Sequence, residues 1–77
     1  MNKQTRKELS DYLDQLSEIK ESVQIIADDE QDKADNMPDN LQMSERHDLY
    51  EEIAEKLNDA VSSIEEATDY IQEAIDS

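Results

Sequence analysis

From Tyr50 onward the apolar residues recur at alternating steps of three and four: Tyr50, Ile53, Leu57, Ala60, Ile64, Ala67, Ile71 and Ala74. That spacing returns side chains to one side of a helix, so it predicts a long helix packed along heptad positions a and d. Ala54, Val61 and Ile75 fall beside the seam at e and widen the stripe toward what a bundle helix buries. The first half repeats the pattern, with Leu9, Tyr12, Leu16, Ile19, Val23 and Ile26 on the seam and Leu13 and Ala27 alongside. Glycine is absent and the single proline separates the two patterns, so neither run contains a breaker.

The punctuation is "NMPDNLQMSER", residues 36–46. Pro38 pushes Met37 out of helical geometry, which ends the first helix near Asn36. Asp39-Asn40 is turn chemistry. Ser44 is the N-cap candidate for the second helix, and Glu45 suits its positive end. Leu41 and Met43 are expected to tuck over the end of the seam. The prediction is one all-α domain spanning residues 1–77, with a helix over about 4–35, a loop over 36–44 and a helix over about 45–76. So short a connection makes the helices antiparallel neighbours in a coiled-coil-like hairpin. Folding back sets Tyr12 against Ala67, Ile19 against Ala60 and Ile26 against Ile53, with large against small at the first two layers, as close-packed helices need. A lone hairpin leaves one side of each stripe wet. A homodimer forming a four-helix bundle, or docking onto another protein, is therefore expected.

Composition alone argues otherwise. Charged residues make up 38% of the chain, hydrophobic ones 35%, and the net charge is −15, which is the profile of a disordered chain. The unbroken periodicity overrules that profile. The charge does exclude some functions: direct nucleic-acid and anionic-membrane binders need the opposite sign, and only the opening MNKQTRK is basic. No run is apolar enough for a membrane span or a signal-peptide core, so a cytoplasmic location is expected. There is no cysteine, hence no disulfide framework or thiolate metal site.

The anions are sorted. Outward positions of the second helix carry Glu52, Glu55, Asp59, Glu65, Glu66, Asp69, Glu73 and Asp76, with no base among them. A solvated helix gains about 0.2–0.5 kcal/mol for each pair of opposite charges at i,i+4; this one repels itself by similar amounts. Lys20 and Lys56 fall at e and g, where they can reach carboxylates of a neighbouring helix. Two readings of the acidic face stand side by side. In one it keeps a small protein soluble, although a net charge of about 2–8 in magnitude suffices for that. In the other it imitates a nucleic-acid backbone. Carboxylates recur about once per ~5.4 Å turn, on the scale of phosphates along a strand, and such an array suits a basic groove. Ile25, alone among the carboxylates, is a candidate apolar contact for a partner.

Candidate sites for chemistry fall away. Asp28, Glu30 and Asp32 approach a calcium-loop spacing, but Lys33 stands where the sharp-turn glycine belongs. His47 is the only histidine and reads as a surface residue; with no cysteine it makes a poor zinc site. Paired carboxylates need a desolvating pocket to act as acid and base, and a thin hairpin offers none. Tyr50 and Tyr70 read as packing residues. No catalytic activity and no cofactor are expected.

Across the connector and second helix the chain resembles small acidic helical proteins from phages and mobile elements of Gram-positive bacteria. The likeness rests on Asn36, Pro38, Asp39, Asn40, Leu41, Gln42, Ser44, Glu45 and Arg46, followed by "SSIEEATDYIQEAID". Met43 departs from it, standing where the group has glycine. The resemblance implies a phage-like origin and a counter-defence role, obstructing a nucleic-acid-handling protein of the host. It also offers Asn40, Gln42 and Arg46 as recognition residues, beside their simpler role in shaping the turn and cap. The alternative is a structural or adaptor bundle that binds through its apolar stripe or loop and uses its acid only for solubility.

Overall fold

The computed structural model describes residues 1–41 and 44–77. It is a two-helix antiparallel hairpin: α1 spans Lys3–Asp35, a 3-10 turn spans Asp39–Leu41, and α2 spans Glu45–Asp76. Asn2 caps α1, its side chain accepting from the Thr5 amide at 2.8 Å. Asn36 closes it, donating its amide to the Asp32 carbonyl at 2.9 Å. After Pro38 the chain turns once, with the Leu41 amide donating to the Pro38 carbonyl at 2.8 Å. Ser44 then caps α2, its Oγ accepting from the His47 amide at 3.2 Å. Gln42 and Met43 lie outside the described residues, and Leu41 stays 42% exposed and does not close over the seam.

The helices meet along a different phase of the apolar stripe from the a/d seam. On α1 the covered positions include Leu9, Leu13, Leu16, Lys20, Val23, Ala27 and Ala34; on α2 they include His47, Tyr50, Ala54, Leu57, Val61, Ile64, Thr68, Ile71 and Ile75. Tyr12, Ile19 and Ile26 remain about half exposed, and Ala60, Ala67 and Ala74 are exposed, whereas Ile53 is half-buried. The physical reason lies in the small residues. Ala27, Ala34 and Ala54 are at most 1% exposed, and a methyl at these positions lets the backbones approach. Rotating either helix to bring Ile19 or Ile26 inward would wedge them apart. The register differs too. Arg6 reaches Ser77, Lys20 reaches Glu65, and Gln24 reaches Asn58. This offsets the helices by about one turn from the expected pairing of Tyr12 with Ala67.

The resulting core is slight. Among the described residues Ala27, Ala34, Ala54, Val61 and His47 are buried, and no large side chain is fully buried. The rod measures 60 × 15 × 12 Å with a radius of gyration of 17.5 Å, against about 11.5 Å for a compact domain of this length.

Candidate functional site

Where the seam lies decides what each remaining face carries. Residues one step after it, such as Gln24 on α1 and Asn58 and Glu65 on α2, meet across the hairpin. The Gln24 amide donates to Asn58 Oδ1 at 3.0 Å, and Lys20 Nζ lies 3.8 Å from Glu65. Ser17, Lys20, Glu65, Thr68 and Asp69 line a shallow open groove on this side. Residues one step before the seam must then share the opposite side, because the helices are antiparallel and each advances about 100° per residue. These are Tyr12, Ile19 and Ile26 on α1, with Ile53, Ala60, Ala67 and Ala74 on α2. The hairpin therefore has an apolar front and a polar back.

The sequence-predicted anions all lie outside the seam. Glu52, Glu55, Asp59, Glu65, Glu66, Asp69, Glu73 and Asp76 are all exposed. Two have cations at hand. Glu65 faces Lys20 across the hairpin, and Glu52 holds Lys56 of its own helix at 2.9 Å. Lys56 thus pairs within α2, and Lys20 reaches across, its stem lying over the seam with its charge at the rim. For Glu55, Asp59, Glu66, Asp69, Glu73 and Asp76 no cation lies within pairing distance among the described residues. Hydrogen bonding to Glu52, reinforced by its charge, raises the pKa of Lys56 above the ordinary lysine value. Glu30 does the same for Lys33, which also sits 5.8 Å above the Tyr50 ring. Ile25 points away from the partner helix and is 62% exposed.

Of the loop candidates, Asn40 and Arg46 are exposed and Gln42 lies outside the described residues. Two readings need correction. Tyr70 is 70% exposed and packs against neither helix seam. His47 is not a surface residue: it is 9% exposed, because the observed phase of the seam, stepping back from Ala54 and Tyr50, lands on it. Its Nδ1 is buried without a hydrogen-bond partner among the described residues. Asp48 and Glu51 flank it, 3.7 Å from Nδ1 and 3.6 Å from Nε2 respectively. The three groups are near enough to draw a cation. The two carboxylates approach opposite nitrogens of one ring, and exposed acidic groups of this kind are common without an ion.

The sequence reading expected one side of the stripe to stay uncovered but placed Tyr12, Ile19 and Ile26 on the seam instead of on that side. The signal for an uncovered side was present in the width of the stripe: apolar residues at a, d and e are more than one neighbouring helix can cover. No helix of the described residues is long and apolar enough to cross a membrane. Compared with known proteins, the chain matches no family model, no curated protein and no solved structure.

Proposed function

We propose that this is a non-catalytic binding protein of phage type, whose acidic outer surface along α2 occupies a basic nucleic-acid-binding surface of a host or defence protein. The observation that carries the reading is the set of exposed carboxylates on the rigid helix α2 that have no cation within pairing distance among the described residues: Glu55, Asp59, Glu66, Asp69, Glu73 and Asp76. A net charge of −15 along a 60 Å rod amounts to about one negative charge per 4 Å. One strand of DNA carries one per about 3.4 Å and a duplex one per about 1.7 Å. The hairpin thus matches a single strand in linear charge density. Its charges are already arranged, so a partner would lose little entropy in ordering them.

The test uses the chain immobilised as bait for basic proteins from a bacterial lysate. Capture at low salt, elution by added DNA or RNA, and loss of capture on the triple change Glu66→Lys, Asp69→Lys, Glu73→Lys are the expected results. Capture that survives both those reversals and ~0.5 M salt, where the Debye length is only a few ångströms, would rule the mimic out. The adaptor reading is favoured by one observation, the exposed apolar front with Tyr12, Ile19 and Ile26. It gives the opposite salt behaviour, because apolar contacts persist when charges are screened.

A further inference from the structure

We infer that the apolar front is the interface of a two-fold homodimer, in which α1 of each copy lies in a groove on α2 of the other and both loops sit at the same end. The front is self-complementary. On α1 it presents a ridge of Tyr12, Ile19 and Ile26, each 51–53% exposed. On α2 it presents exposed alanines at the same heptad spacing, Ala60, Ala67 and Ala74. A second copy related by an axis parallel to the helices keeps each residue at its own height and exchanges α1 for α2. The cross-hairpin pairs Lys20–Glu65 and Gln24–Asn58 fix those heights. Ile19 then falls between Ala60 and Ala67 of the second copy, Tyr12 between Ala67 and Ala74, and Ile26 between Ile53 and Ala60. That is knobs into holes. The other arrangement, with loops at opposite ends, sets ridge on ridge and alanine on alanine and leaves voids.

Charge and area point the same way. Although the chain has 22 carboxylates, none falls on either stripe of the front. At its rim, Asp29 of one copy comes level with Lys56 of the other, an opposite pair. The accessible surface is 5795 Å², against about 4,800 Å² for a compact monomer of this mass. The excess, on the order of 1,000 Å², follows from the elongation of the rod, and each partner of a standard interface covers about 800 Å². The 60 Å length of the rod gives ample footprint.

Sedimentation of the intact chain at micromolar to millimolar concentration tests this. The expected mass is twice 8.9 kDa, with association strengthening as salt rises, because each copy brings a net charge of −15 and screening relieves their repulsion. Ile19→Glu and the charge-neutral Ala60→Leu should each shift the species to monomer while circular dichroism stays helical. Ile25→Glu, on the far side of α1, should leave the dimer intact. A spin label at Asn40→Cys should report an intermolecular distance within roughly 20 Å, set by neighbouring helices 8–10 Å apart. A wild-type monomer throughout the range overturns the inference, and that measurement stands even if a variant fails to fold. A dimer that tolerates Ile19→Glu, or labels separated by about the rod's 60 Å length, overturns it as well. Binding to a basic partner weakens with salt where this association strengthens, so the two proposals fail separately.

Discussion

At the scale of single residues, two positions around the start of α2 make opposite contributions. Ser44 Oγ satisfies the His47 amide, one of the orphan donors of a helix start. Ser44→Ala should cost about 1 kcal/mol and lower the thermal midpoint by roughly 4–8 °C for a domain of this size. A melt followed by circular dichroism reads this directly, and an unchanged midpoint would show that solvent replaces the cap without loss. His47 runs the other way. Its Nδ1 is desolvated without a protein partner among the described residues, a situation that costs about 1–3 kcal/mol. His47→Leu should therefore leave stability unchanged or raise it. A clear loss of stability would mean that the flanking contacts to Asp48 and Glu51, 3.7 and 3.6 Å away, outweigh that cost. The cap was legible in the sequence because it depends on four consecutive residues. The burial of His47 was not, because it depends on which phase of the stripe faces α1.

That phase is decided at the scale of the helices. The hairpin itself was legible: two breaker-free periodic runs around one proline leave little alternative. The choice between the a/d and the shifted seam was not, since apolar residues occupy a, d and e together and periodicity scores both phases alike. What separates them is the distance between helix axes. The shifted seam puts Ala27, Ala34 and Ala54 at the contact, at most 1% exposed, and sends the bulkier Tyr12, Ile19 and Ile26 to the front. Ala54→Leu should then overpack the pair and cost about 1–3 kcal/mol in chemical denaturation. Under the a/d seam Ala54 would be a flanking position and the same change would fall within about ±0.5 kcal/mol. The acidic positions were legible for a plain reason: a carboxylate is placed outside by its desolvation cost whichever phase wins.

For the whole molecule, the two proposed surfaces are linked by geometry. Apolar fronts joined face to face leave the acidic outer surfaces of both copies in solvent along one 60 Å rod. Two copies of a −15 chain along that length give about one negative charge per 2 Å, close to duplex DNA at about 1.7 Å and well above a single strand. The assembly state would therefore set which nucleic acid the protein competes with. The number of counterions released on binding a basic groove scales with the charges engaged, and so does the slope of log affinity against log salt. For a captured partner that binds duplex DNA and contacts both hairpins, that slope should fall by roughly half in Ala60→Leu, which changes assembly without changing charge. Competition with duplex should weaken while competition with single strands persists. An unchanged slope in a variant that sedimentation proves monomeric would show that one hairpin makes the whole contact. The acidic surface of a single copy would then act alone, and dimerisation would serve only to cover the apolar front.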